Sequence, residues 1–152
     1  MKVEFLTCDV FTDRTFGGNP LAVLTDARGL DDRTMQAIAR EFNYSETTFV
    51  CPTADPRHTC RLRIFTPRAE LPFAGHPTLG TAFALVYEGK VPSSVVQTTA
   101  AGHVPVTVDL EGEIGLRVLN ASVGGTTGNR KLLEAAIALS KARIDASFKS
   151  VL

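Results

Sequence analysis

The spacing of apolar positions along this 152-residue chain changes several times, and each change marks an element. VEFLTCDVF is rich in β-formers and reads as a strand. FGGNP, residues 16 to 20, supplies turn chemistry, and PLAVLT returns as a second short strand, so the two predict a hairpin with an irregular connection. Over GLDDRTMQAIAREFN the period becomes helical, with Met35, Ile38, Ala39 and Phe42 on one face. Asp31 can cap that helix and Leu30 can staple onto Met35, which predicts an amphipathic helix ending near Asn43.

TTFVCP reads as a strand stopped by Pro52, and ADPRH as a loop. In HTCRLRIFTP, Cys60, Leu62 and Ile64 alternate with Arg61, Arg63 and Phe65, the signature of a half-buried strand. SVVQTT, HVPVTVDL and EIGLRVL read as three more strands, the last two joined as a hairpin at Glu111-Gly112. PTLGTAFALVY, residues 77 to 87, differs in kind: it carries no charge and opens on Pro77, with Gly89 just past its end. A helix apolar on every side is buried on every side, so strands must wrap around it. The fold class this predicts is α+β, a curled β-sheet or open barrel around a central buried helix.

After Asn120 the texture changes. Residues 121–129, ASVGGTTGN, read as a flexible linker. Residues 130–152 place Leu133, Ile137, Ile144, Phe148 and Val151 along one stripe, which predicts a C-terminal amphipathic helix. The expected organisation is a lobe over 1–120, the linker, and that helix.

Composition narrows the function classes. The chain is 44% hydrophobic and 21% charged, with sixteen acidic and sixteen basic residues mixed along it. Zero formal net charge argues against nucleic acid or an anionic membrane as the partner. Cys8, Cys51 and Cys60 are odd in number and form no C-x-x-C pair, so reduced thiols are expected rather than a disulfide framework or a metal site. Glu4 and Asp9 interrupt the opening where a signal peptide needs an apolar run, and no apolar stretch is long enough for a membrane span. The expected location is cytoplasmic.

Two stretches could carry chemistry. In ELPFAGHPTLG, residues 70 to 80, Gly75 and His76 sit at the start of the buried helix. The free N–H groups there favour an anion, and Gly75 puts no side chain in its way. On spacing alone the commoner reading is that Gly75 makes a turn and His76 caps the helix. Glu46, in FNYSETTFV, could be a solvated residue at the start of a strand, the commoner fate of a glutamate. It could also be a carboxylate oriented by Ser45, Thr47 and Thr48 and half-buried for proton transfer.

Together these stretches match a family. VFTDRTFGGNPLAVL, MQAIAREFNYSETTFV, RLRIFTPRAELPFAGHPTLGTAFAL and VPVTV strongly resemble the PhzF-like (phenazine biosynthesis protein F-like) isomerases of the diaminopimelate-epimerase fold, from about residue 4 to about residue 119. The resemblance implies two pseudo-symmetric lobes facing a cleft, of which this chain resembles the N-terminal one. It implies proton abstraction and return at carbon in a small carboxylate substrate, with no metal or organic cofactor. It assigns Glu46 as the general acid/base and Gly75, His76, Ser45, Pro77 and Thr78 to substrate binding. Relatives in the wider fold use a thiol just before the corresponding glycine. Ala74 stands there in this chain, which disfavours a cysteine-pair racemase. The second lobe's acidic residue, in a D-P-x-T-G-S-like motif, has no counterpart in these 152 residues. The expected partner is therefore a second copy of the chain, a homodimer formed through the inter-lobe face. The alternative is a single-lobe homologue that binds a small ligand or a protein without catalysis.

Overall fold

The computed structural model describes residues 2–110, together with the backbone of 114–116 and 144–151. β1 (Glu4–Val10) and β2 (Asn19–Leu24) pair antiparallel, as the hairpin reading expected. α1 (Asp32–Phe42) then crosses to β3 (Glu46–Cys51), which pairs parallel with β2. A parallel pair needs such a crossover. Asp31 caps α1, its Oδ1 accepting from Thr34 N–H at 2.7 Å, and Asn43 closes it in the left-handed region at φ 54°.

β4 (Cys60–Phe65) pairs antiparallel with β3 and carries the short β5 (Glu70–Leu71) beside it. α2 (Gly75–Tyr87) leads to β6 (Ser94–Thr99), parallel to β4, and then to β7 (Gly102–Val108) and β8 (Ile114–Leu116). β7 and β8 pair antiparallel as expected, and the Glu111-Gly112 turn lies outside the described residues. The sheet runs β8-β7-β6-β4-β3-β2-β1, and β9 (Ile144–Val151) closes its far edge against β1.

The sheet curls around α2 because α2 is apolar on all sides. Leu79, Ala82 and Phe83 pack on Val95, Val104, Val106 and Val108, while Ala84 packs on Leu6, Cys8, Val10, Leu21 and Val23. Every residue from His76 to Leu85 is buried. α1 lies on the outer face, its Met35 and Ala39 against Leu24, Phe49 and Phe65. Phe65, expected on the polar side of its strand, is buried edge-on against Phe49 at 5.3 Å for this reason: both faces of β4 are covered at that end.

Two expectations are corrected. The central helix begins at Gly75 rather than Pro77, so Pro77 is its third residue. The first turn tolerates proline there because its missing N–H has no helical partner to lose. The tail is not helical throughout: Ile144–Val151 is a strand, with Leu6 opposite Lys149 and Thr7 opposite Phe148. Ile144, Ala146 and Phe148 also alternate with Asp145, Ser147 and Lys149, a period of two that competes with the helical stripe. Unpaired edge groups on β1 favour the strand reading. The linker and residues 130–143 lie outside the described residues.

Arg63 clips the outer layer together. Its guanidinium donates bidentately to Glu70 at 2.7 Å and to Asp32 Oδ1 at 2.6 Å, and it lies 5.1 Å from the Phe65 ring centroid. Its charge is thereby held well above its usual range of titration, chiefly by the Glu70 hydrogen bonds. Asp32 and Glu70 can rehydrate once the arginine is gone, so Arg63→Ala should cost only about 1–2 kcal/mol, mostly lost packing. Urea denaturation of the variant against the parent checks this, and an unchanged midpoint would show that the clip contributes nothing.

Candidate active site

Glu46 opens β3 and His76 is the second residue of α2, so the meeting of these two element ends makes the site. The alignment comes from behind. Thr81, one turn past Pro77 in α2, has its hydroxyl oxygen 2.8 Å from Thr48 Oγ1 and 2.7 Å from the Pro77 carbonyl. Thr48 is two residues past Glu46 on the same face of β3, and its hydroxyl reaches the Ala22 carbonyl at 3.3 Å. Both threonines are fully buried.

With the helix held this way, His76 Nε2 lies 3.2 Å from Glu46 Oε2. The two side chains are 9% and 16% exposed, and the facing atoms have essentially no contact with solvent. Despite the short distance the ring nitrogen and the carboxylate are not aligned as a hydrogen bond, and neither atom has another partner. Buried polar atoms left in this state are costly, and a ligand is one thing that satisfies them.

The other side of the imidazole is occupied. Asn19 Nδ2 is 3.2 Å from His76 Nδ1, and the Ser45 hydroxyl donates to Asn19 Oδ1 at 2.7 Å. With the Asn19 amide in this orientation it donates to Nδ1, which puts the proton of the neutral ring on Nε2, toward Glu46. Ser45 thus acts on the ring through Asn19. Sequence reading took FGGNP only as a turn and missed Asn19. No local signal marks it, because its role comes from the β1–β2 register and the parallel β2–β3 pairing that sets Leu21 beside Glu46.

The start of α2 is open. Ala74 occupies the cap with an extended backbone and no side chain to cap with. The first backbone bond of the helix runs from Thr78 N–H to the Ala74 carbonyl, so the N–H groups of Gly75 and His76 precede the ladder. A Cβ placed on Gly75 would meet nothing within 4 Å. Pro77 and Thr78 build the turn instead: Pro77 has no N–H, and the Thr78 hydroxyl donates to the Ala74 carbonyl at 2.7 Å. Of the expected residues, Glu46, His76, Gly75 and Ser45 converge on one spot, and Pro77 and Thr78 stand behind them.

No cysteine is poised to react. Burial pushes the thiols of Cys8 and Cys60 up to about 12, and it raises that of Cys51 as well. Among the described residues, no group of three or more His, Cys, Asp and Glu side chains is placed to hold a metal ion, and no helix is long and apolar enough to cross a membrane.

Burial holds His76 below its ordinary value of 6.5, and the Glu46 carboxylate works against that shift. Since the folded protein binds this proton less readily than the unfolded chain, stability should be full above pH 6.5 and fall as pH drops toward the folded-state value. Asp26, Asp31 and Asp55 are held below the carboxylate range by Arg28, Thr34 and Arg57, so their contributions fade only at lower pH. Denaturation midpoints between pH 5 and 7.5 should therefore rise with pH in the parent and flatten in His76→Gln. An equal slope in both would assign the dependence elsewhere.

Residues 8–149 match the family described as phenazine biosynthesis-like protein, PhzC-PhzF. An uncharacterized isomerase of Mesorhizobium japonicum is 62% identical over 82 residues, covering 54% of this chain and 27% of its own length. The trans-2,3-dihydro-3-hydroxyanthranilate isomerase of Pseudomonas aeruginosa is 51% identical over 83 residues, 54% of this chain and 29% of that protein. The crystal structure of a PhzF-family phenazine biosynthesis protein from Enterococcus faecalis superposes with a TM-score of 0.69 at 32% identity, over 84% of this chain and 49% of that one. The chain thus spans under a third of those two relatives and about half of that structure.

Proposed function

This chain belongs to the phenazine biosynthesis-like protein family, and from that premise we propose that it takes part in a cofactor-independent isomerisation of a small carboxylate substrate. The observation that carries the reading is the buried Glu46–His76 pair, 3.2 Å apart, at the uncapped start of α2. The substrate carboxylate sits against the N–H groups of Gly75 and His76, where the helix dipole favours negative charge. Glu46 takes a proton from a carbon of the substrate, leaving the electron pair delocalised toward its carboxylate, and a proton returns at carbon to complete the isomerisation. Neutral His76, oriented by Asn19, faces Glu46 with its Nε2 3.2 Å from the carboxylate.

Proton return across a cleft calls for a second wall, and this chain matches only part of its relatives' length. We assign that wall to a second copy of the chain. Incubation of the 152-residue chain with small carboxylates in D₂O should give deuterium at carbon, with light scattering reporting a dimer. A strict monomer that exchanges nothing while binding carboxylates would favour a ligand-binding lobe.

A further inference from the structure

The connection between β1 and β2 holds two aromatic residues in a backbone conformation that L-residues avoid: Phe11 at φ 67° and Phe16 at φ 62°. Bulky side chains in the left-handed region persist only where the surroundings over-determine them, and such strain gathers at ligand sites. The surroundings here are tight. Phe16 N–H donates to Asp9 Oδ2 at 2.7 Å, Gly17 N–H to the Arg14 carbonyl at 3.1 Å, and Thr12 Oγ1 accepts from Arg14 N–H at 3.0 Å. A Cβ on Gly18 would fall 2.3 Å from the Val10 carbonyl oxygen, so backbone passes against backbone just where Phe11 leaves β1.

The two rings end in different places. Phe16 lines a separate cleft with Asp9, Pro20 and Tyr44 on the outer side of the hairpin. The Phe11 ring centroid is 6.2 Å from that of His76, tilted at 55°, yet Phe11 remains 43% exposed. One part of the ring therefore borders the imidazole that faces Glu46, and the rest is left without cover. A phenyl group carried there at a backbone conformational cost offers an approaching ligand an apolar surface beside the His76 ring and no hydrogen bond.

We propose that Phe11 is a specificity-determining residue of this site, forming an apolar wall that selects carboxylates whose carbon skeleton presents a flat apolar face. The proposal rests on the reading of the α2 start as the carboxylate seat. A ligand with its carboxylate at Gly75 and His76 lays its skeleton along Phe11, where ring contact adds to simple burial. A carboxylate with no such skeleton takes the same seat without that gain.

Benzoate and acetate carry the same head group and charge and serve as probes, followed through the His76 imidazole signals by NMR on the full 152-residue chain. Benzoate should bind at least about tenfold tighter than acetate in the parent. Phe11→Gly and Phe11→Asn both accept a positive φ, so the loop keeps its course, and each should bring the two affinities to within about twofold of each other. Acetate affinity should stay unchanged in both variants, a result that a purely structural role for Phe11 would not give. Equal affinities in the parent, or a benzoate preference that survives both substitutions, overturns the proposal and leaves the carboxylate seat standing. Failure of both probes to perturb His76 refutes the seat itself, and this inference with it.

Discussion

Glu46→Gln should lower the rate of carbon-bound deuterium exchange by about 10²- to 10⁴-fold, the usual contribution of a positioned general base. The amide has the size of the carboxylate, and its position at the first residue of β3 is set by backbone pairing with Leu21, so the fold should be retained. What the substitution removes is the ability to take a proton. It also removes the charge that raises His76, so the imidazole should titrate lower still in the variant, a shift readable by NMR. The two readouts separate cause from side effect. Loss of exchange together with the lowered His76 value supports Glu46 as the base facing the ring. Exchange at the parental rate would remove Glu46 from the mechanism, whatever His76 does.

The largest effect on stability is expected at Gly80. A Cβ there would lie 2.6 Å from Leu21 Cδ2, 2.9 Å from Val10 Cγ2 and 3.3 Å from Cys8 Sγ, so the helix rests directly on β1 and β2. Leu21 and Val10 are fully buried and have nowhere to retreat. Gly80→Val should cost about 3 kcal/mol by overpacking, or roughly 6–12 °C in the melting midpoint. Gly75→Ala is the internal control, being on the same helix with open space around its missing Cβ. It should leave stability unchanged or slightly raised, since alanine is the better helix former, and weaken carboxylate binding at the helix start. Equal melting midpoints for Gly80→Val and the parent would mean that the α2–sheet approach is looser than these distances.

The same contrast shows how much of the site could be read along the chain. Glu46, Gly75 and His76 stand out because each lies at an element boundary that hydrophobic periodicity predicts. Their meeting was expected from family resemblance, and the structure puts the atoms 3.2 Å apart. Asn19 and Phe11 carried no such mark. Asn19 looked like a turn residue and Phe11 like the end of a strand, because what distinguishes them is a neighbour 57 or 65 positions away.

By itself the sequence determined the elements whose signals are local: the capped α1, the alternating β4, and a central helix that had to be enclosed because no face of it was polar. Those signals act over a few residues through backbone geometry and side-chain period. Only the tertiary structure decided the pairing order of the sheet, the strand over Ile144–Val151, the burial of Phe65 and the partners of His76. The physical reason is common to all four. Each depends on which distant segment satisfies a sheet edge, a second apolar face or a ring nitrogen, and such satisfaction is a property of the packed chain rather than of any window along it.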